Sequence, residues 1–180
     1  MNSRILKSIP IILALVIVLL LARPNIFSLI IGSIIVFVGE GIRVWAAGHL
    51  IRNEEVTTSG PYAYLRDPLY LGRVLLLIGF CIMAWGYTWI ILLFGLGVFF
   101  LNYMPRKYRK EMARLENLFG EEYKAYASYT RSLIPRLRPY SNARNRPWRF
   151  DLFWKENKEQ YFLLGTIVFC LLVVGRYFYR

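Results

Sequence analysis

Three ionisable side chains, Glu40, Arg43 and Arg73, interrupt long apolar runs of the sequence. Charged groups inside a hydrocarbon layer are costly, and they usually face a protein interior or a wet cavity, where they can hold a substrate or move a proton. Glu40 and Arg43 are three residues apart, so on a helix they share a face and can pair. The pattern predicts either catalytic groups or a structural ion pair that fixes the register of the helices.

Metal chemistry is not indicated by the remaining polar and sulfur side chains. His49 is the only histidine, which excludes a site built from several histidines, and no other cluster has ligand spacing. Cys81 and Cys170 both lie inside apolar runs, where they are interpreted as packing residues rather than as a disulfide. We therefore predict no metal.

The densest turn chemistry lies in residues 57–72, which read TTSGPYAYLRDPLYLG. Pro61 and Pro68 restrict the backbone, and each biases the residue before it away from helix, so backbone amides can be held in fixed directions. A plain membrane-entry turn does not need this density of Gly, Pro, Tyr and Arg. The segment is interpreted as the rigid rim of a ligand site.

A second segment, residues 108–126, shows the three- and four-residue spacing of an amphipathic helix. Gly120 is predicted to end one helix, and Glu121 and Glu122 suit the positive start of the next. Such a stripe usually serves packing alone. Its members are Tyr108, Met112, Leu115, Phe119, Tyr123 and Tyr126.

The composition indicates that the chain carrying these ionisable groups and motifs is a membrane protein. Hydrophobic residues make up 57% of the 180 residues and lie in long runs, while the net charge is +12. Of the 23 Lys and Arg residues, 14 fall between Arg106 and Lys158, as expected when cytosolic positive charge orients a membrane protein. Nucleic-acid binding is not favoured, because it needs basic residues spread over a soluble surface.

The apolar runs predict an all-α fold, a polytopic transmembrane helical bundle that forms a single integral membrane domain over residues 1–180. Glycines at seven-residue spacing within these runs predict close helix packing. We predict a bacterial inner membrane or its equivalent, with the active site facing the cytosol. Five spans are expected, at residues 5–22, 26–50, 69–85, 89–104 and 161–179. The cytosolic segments, with amphipathic helices, are 51–68 and 105–160.

Both motifs resemble the isoprenylcysteine carboxyl methyltransferase and phospholipid methyltransferase superfamily of integral membrane enzymes. That superfamily carries a stretch like T-S-G-x-Y-x-x-x-R-H-P-x-Y-x-G, which Thr58 through Gly72 matches in spacing. It also carries E-E-x-x-L-x-x-x-F-G-x-x-Y-x-x-Y, which begins here at Glu111. Asp67 replaces the histidine of the first motif, and Met112 replaces the second glutamate of the other, so the resemblance leaves the substrate class and the activity open.

The resemblance implies methyl transfer from S-adenosylmethionine to a hydrophobic or lipid-like acceptor in the membrane. An acid cannot donate to a cofactor carboxylate as histidine could, so Asp67 is expected to accept a hydrogen bond from an amino or ribose hydroxyl group instead. The residues that the resemblance assigns to the cofactor are Gly60, Tyr62, Arg66, Asp67, Tyr70, Glu111 and Tyr123.

The catalytic role of the membrane-embedded charges depends on the acceptor. A carboxylate could be held by Arg43 or Arg73 without any base, whereas an amine or thiol must lose a proton, for which Glu40 or Glu111 is the candidate. Two other classes remain open: an NADPH-dependent sterol-type membrane reductase and a non-catalytic lipid-binding membrane protein.

Overall fold

The structure is a computed structural model that describes residues 13–179, and this part of the chain is helical without any strand. It confirms the all-α prediction. A 3-10 turn, Gly60–Ala63, precedes the third helix; π-helical turns occur at Val98–Tyr103 and Leu152–Glu156. The helices are α1, described over residues 13–21, α2 (Ile26–Ala47), α3 (Pro68–Ala84), α4 (Thr88–Gly97), α5 (Met104–Tyr129) and α6 (Gln160–Phe178).

Three helical stretches are long and apolar enough to cross a membrane: Ile26–Ala47, the continuous Thr88–Tyr129 and Gln160–Phe178. The 17-residue α3 is apolar but shorter. The chain is thus an integral membrane protein. The predicted first span, 5–22, begins outside the described residues, and its described part is the helix α1.

The helix boundaries differ from the predicted spans at the polar end of the bundle, where α2 ends and α3 begins. α2 ends at Ala47, three residues earlier than predicted, because the chain turns at Gly48. α3 begins at Pro68, whose fixed φ suits the first helical turn. The fourth span was predicted to end at residue 104, but no helix ends there. α4 continues through a π-helical turn into α5.

Gly120 interrupts α5, as predicted from the sequence. Its φ of 52° and ψ of −126° are not helical, and a positive φ is readily adopted only by glycine. The helix therefore changes direction there, and Tyr123 and Tyr126 of the following turns are buried.

α2 and α3 pack closely through the glycines at positions 32 and 39 and at positions 72 and 79, as their seven-residue spacing predicted, whereas Gly41 meets no neighbouring atom. A methyl group added to Gly32 would lie 2.4 Å from the backbone nitrogen of Met83. One added to Gly72 would lie 2.8 Å from the carbonyl oxygen of Gly39. Small residues let two helix backbones approach, so these contacts hold the two helices that carry the ionisable groups in a fixed register.

The opposite end of the bundle is closed by α1, the end of α3 and α6. The backbone N–H of Arg23 donates to the carbonyl of Ala84 at 2.8 Å. Asn25 caps α2 by accepting from the Ser28 N–H at 3.0 Å. Since α6 starts beside the end of α2 and reaches this core, it runs the length of the bundle. The buried core residues are Val18, Ala22, Leu29, Met83, Ala84, Phe169 and Val173.

The polar stretch before α6 folds back over the end of α2. Trp148 donates from Nε1 to the Val44 carbonyl at 3.0 Å and packs against Gly48, where a side chain would collide with the indole. The Asn157 amide donates to the carbonyls of Ala47 at 2.9 Å and Leu50 at 3.0 Å. The bond from Asn157 to Ala47 satisfies a carbonyl that the end of α2 leaves without a partner.

Candidate active site

A cavity of about 500 Å³ lies where the loop after α2, the start of α3 and the first half of α5 meet. Pockets of this size are typical of sites for cofactors and small molecules. Gly60, Glu40 and Arg43 do not belong to its lining. The predicted site residues that do line it are Tyr62, Arg66, Asp67, Tyr70, Arg73, Glu111 and Tyr123.

Arg66 is held rigidly at the cavity wall. Its side chain is only 8% exposed, and its guanidinium donates to the Tyr108 hydroxyl at 2.6 Å and to the Ala127 carbonyl at 3.2 Å. Arginine has five N–H donors, so these two bonds leave donors for a ligand. Tyr108 belongs to the apolar stripe that was interpreted as packing. Because its hydroxyl accepts a hydrogen bond from Arg66, it also orients that guanidinium.

Asp67 stands beside Arg66 in a largely buried setting. One carboxylate oxygen lies 3.6 Å from Nε of Arg66 and accepts from the Ser132 hydroxyl at 2.5 Å. Burial raises the pKa of Asp67, and the Ser132 hydrogen bond and the Arg66 charge oppose that rise. No sequence signal marked Ser132, because it lies outside both motifs.

Backbone hydrogen bonds fix the segment that carries these two residues. The N–H groups of Arg66 and Asp67 donate to the carbonyls of Arg131 at 2.9 Å and Ser132 at 3.1 Å. The Tyr140 N–H donates to the Ala63 carbonyl at 2.8 Å. We call residues 131–140 the strap, because this stretch lies along residues 63–67 and holds them by main-chain bonds.

Gly60 acts on the cavity only through the turn it makes. Its φ is +58°, and an added Cβ would lie 2.3 Å from Cδ2 of His49, so only glycine fits there. The turn places Tyr62, which is 6% exposed, and the Tyr62 carbonyl accepts from the Tyr126 hydroxyl at 2.8 Å. Burial raises the pKa of Tyr62 far above its ordinary value, so this phenol stays neutral.

The wall formed by α3 and α5 combines an acid with two cations around one aromatic ring. Tyr70 donates to a Glu111 carboxylate oxygen at 3.5 Å. The Arg73 guanidinium lies 5.2 Å and the Lys107 ammonium 4.7 Å from the Tyr70 ring centroid. Arg73 also donates to the Tyr103 hydroxyl at 3.4 Å. Within residues 13–179, neither cation lies within 4.0 Å of a carboxylate.

Glu40 and Arg43 lie together on α2 but do not form the ion pair that their spacing allows. Arg43 is 1% exposed, pairs with Glu159 at the start of α6, and donates to the Leu69 carbonyl at 3.2 Å. Glu40 accepts from the Thr166 hydroxyl at 3.2 Å. Because α6 supplies a partner for each, the two side chains fasten α6 to α2. The expectation of a mutual pair is wrong.

These features define a membrane-embedded helical protein with a polar cavity at one end of its bundle, a class that includes membrane-bound transferases. The family model of phospholipid methyltransferases matches residues 26–122, more than half of the chain. The chain therefore belongs to the phospholipid methyltransferase family, whose members are S-adenosylmethionine-dependent methyltransferases. No curated protein and no solved structure matches it.

The residues of the cavity fit the cofactor that this family uses. The amino acid part of S-adenosylmethionine carries a carboxylate and an ammonium group, and the cavity offers the Arg66 guanidinium beside the Asp67 carboxylate. Tyr62, Tyr70 and Tyr123 also line the cavity and provide aromatic surface for the adenine or the sulfonium. The family membership favours methyl transfer over the reductase and the non-catalytic alternatives.

Proposed function

We propose that this protein methylates the headgroup of a membrane lipid, using S-adenosylmethionine bound in the 500 Å³ cavity at the polar end of the bundle. The observation that carries the proposal is the arrangement of charge in one cavity. The Arg66 and Asp67 pair occupies the side near the strap, while the cations Arg73 and Lys107 occupy the side formed by α3 and α5.

The cofactor half of the proposal assigns the zwitterionic end of S-adenosylmethionine to Arg66 and Asp67. Arg66 would bind the carboxylate, and Asp67 would accept from the ammonium group or a ribose hydroxyl, as its replacement of the usual histidine requires. Tyr108 and Ser132 hold these two side chains in place. Gly60 contributes through the turn that positions Tyr62.

The acceptor half of the proposal assigns the phosphate of a lipid headgroup to Arg73 and Lys107. Arg73 lies five residues after the start of α3, roughly 7 Å along the helix axis, and we assign this level to the boundary between headgroups and hydrocarbon. Tyr103, at the end of the apolar helix, is 39% exposed, and we expect this side of the cavity to open toward the bilayer. Two cations at that level, with no acid partner among the described residues, suit an anionic headgroup.

Held by Arg66 and Asp67, the cofactor would supply an electrophilic methyl group on its sulfonium; the electron pair of the broken S–CH₃ bond would stay on sulfur while the acceptor nucleophile forms the new bond. The chain's own residues position the reactants and exclude water. If the nucleophile is an amine, Glu111 would take its proton, with Tyr70 as the neighbouring hydrogen-bond partner at 3.5 Å. Glu40 and Arg43 lie outside this lining and are assigned no chemical step.

The proposal includes five membrane spans with the cavity on the cytosolic side. The described helices α1, α2, α3, α4 and α6 alternate in direction along the chain, and the basic residues concentrate at the polar end. Labelling of single cysteines placed at the exposed positions of Ser141 and Tyr87 in intact cells tests this arrangement. Label that reaches position 141 before the cells are opened would contradict it.

The decisive assay is methyl transfer by the purified chain from labelled S-adenosylmethionine to extracted membrane lipids, prenylcysteines and small thiols. We expect labelled lipid. Arg66→Gln should weaken cofactor binding by about 10- to 100-fold, since a bond to a charged group contributes roughly 1.5–3 kcal/mol. Arg109→Gln is the matched control, because Arg109 lies on the same helix as Glu111 but does not line the cavity.

The two halves of the site are separated by a second pair of measurements. Arg73→Gln with Lys107→Gln should raise KM for the lipid and leave the Kd of the cofactor, measured by calorimetry, within about twofold. Loss of cofactor binding in this double variant would contradict the division. Absence of transfer to every acceptor, together with normal cofactor binding, would refute the lipid assignment.

A further inference from the structure

The cavity at the polar end of the bundle carries more positive charge than its own acids balance. Its lining includes six basic side chains but only three carboxylates. Asp67 already lies 3.6 Å from Nε of Arg66, and Glu55 is paired at 2.6 Å with Arg146, which is outside the lining. Of the described lining residues, Glu111 is the one acid left to balance the other five cations. These are Arg52, Arg73, Lys107, Lys110 and Arg114.

None of these five cations has an ionic partner in the described part of the chain, where no carboxylate lies within 4.0 Å of them. Arg52 donates to a neutral group, Oδ1 of Asn157, at 3.0 Å. The second half of α5 differs, because Glu116 and Glu121 there lie 3.5 and 2.9 Å from Nζ of Lys124. The same helix therefore forms ion pairs away from the cavity, whereas its cations in the cavity are available to a ligand.

Three of the five cations share one face of α5. Lys107, Lys110 and Arg114 recur at intervals of three and four residues, the spacing that makes side chains neighbours on a helix. Like charges at this spacing destabilise a helix slightly, and Glu111 on the same face offsets only part of the repulsion. An anion bound at this face would relieve the rest.

The cofactor of this family increases the excess of positive charge. S-adenosylmethionine carries a sulfonium in addition to the ammonium and the carboxylate of its amino acid end, so its net charge is positive at neutral pH. A zwitterionic headgroup brings one phosphate and one ammonium group and leaves the excess unchanged. A headgroup with a further acidic group reduces it.

The order of the cations along α5 matches the order of the groups in such a headgroup. α5 continues directly from the apolar helix α4, so its successive turns lie progressively further from the apolar segment. In a phospholipid the phosphate lies nearer the acyl chains than the terminal group does. Lys107 precedes Lys110 by roughly 4.5 Å along the axis, and Arg114 is one further turn away. Lys107 thus suits the phosphate, and the other two suit an acidic terminal group.

We propose that the acceptor is an acidic lipid, whose headgroup carries a second negatively charged group besides its phosphate. Arg73 and Lys107 hold the phosphate, and Lys110 and Arg114 bind the second acidic group. This inference rests on the proposed lipid methylation and names the class of lipid that the site takes.

The test compares phosphatidylserine with phosphatidylethanolamine of identical acyl chains, two lipids that share the phosphate and the primary amine and differ by one carboxylate. Retention of each radiolabelled lipid by the immobilised whole chain is measured in micelles of a neutral detergent. We expect half-saturation by phosphatidylserine at about tenfold lower mole fraction, since each nearby cation attracts an acidic lipid modestly. High salt should reduce the difference. Equal retention, or tighter retention of phosphatidylethanolamine, would overturn the inference.

Variants of α5 separate the cavity from the general charge of the helix. Lys110→Gln with Arg114→Gln removes two lining cations and should abolish most of the preference. Arg106→Gln with Arg109→Gln removes two exposed cations outside the lining and should keep it, as should the charge-conserving exchange Lys110→Arg with Arg114→Lys, all with unchanged helical circular dichroism. A preference that survived the first pair, or fell equally in the second, would refute binding at the cavity face.

Labelled S-adenosylmethionine added to the same samples reports methyl transfer separately from lipid binding. Transfer to phosphatidylethanolamine without any preference for phosphatidylserine would refute the acidic headgroup and leave lipid methylation standing. A clear preference for phosphatidylserine without transfer to any lipid would refute the methylation instead, so the two failures can be distinguished.

Discussion

The Glu159→Gln substitution removes the ionic partner of Arg43 and leaves the guanidinium buried in the bundle. Arg43 is 1% exposed, and its remaining partners are the Leu69 carbonyl at 3.2 Å and the Phe162 ring, whose centroid lies 3.6 Å from the guanidinium carbon. Loss of one member of a buried pair typically costs 3–5 kcal/mol, and a desolvated cation–π contact retains part of this. We therefore expect destabilisation of about 2–4 kcal/mol.

That loss corresponds to a roughly 30- to 1000-fold change in the unfolding equilibrium. It can be measured by unfolding of the purified chain in mixed micelles of increasing denaturing-detergent content, followed by tryptophan fluorescence. Glu156→Gln is the control, because Glu156 is an exposed glutamate just before the same helix. If Glu159→Gln destabilised no more than Glu156→Gln, the ion pair would not fasten α6 to α2.

Three further outcomes are expected from single changes. Gly32→Ala pushes a methyl group against the backbone of α3 and should lower the free energy of unfolding by about 1–3 kcal/mol. Gly41→Ala adds the same group in open space and should not lower it. Unfolding of both variants in denaturing detergent compares them. Tyr108→Phe deletes a bond to Arg66 and should weaken cofactor binding about tenfold in calorimetry. Because burial raises the pKa of Asp67, stability should fall and cofactor affinity should rise as the pH increases from the ordinary carboxyl value through the raised one. Asp67→Asn should flatten both profiles.

The elements of the cavity could be predicted from sequence because their signals are local. The prolines, Gly60 and the tyrosines of the loop determine a turn, and the helical stripe determines a face, so each motif needed only its own residues. Gly120 was predictable for the same reason, since a helix break at a glycine depends on its own backbone. The two motifs therefore predicted that Arg66 and Glu111 line the same cavity, as they do.

Partners supplied from distant segments could not be predicted in this way. The spacing of Glu40 and Arg43 establishes only that they share a helix face, and it does not show that α6 brings Glu159 to one and Thr166 to the other. Ser132 likewise has no signature, because a serine in a loop becomes a carboxylate partner only through the tertiary path of the chain.

The strap makes the cofactor wall depend on a stretch that lies beyond the residues matched by the family model. Its bonds to residues 63–67 run largely between main-chain atoms: carbonyls at positions 131 and 132, which every amino acid offers, and N–H groups at positions 136 and 140, which only proline lacks. Side chains at most strap positions are thus free to change while the wall keeps its shape. Substitutions that keep Ser132 would leave the function unchanged, whereas a one-residue deletion would shift Arg66 and Asp67 together.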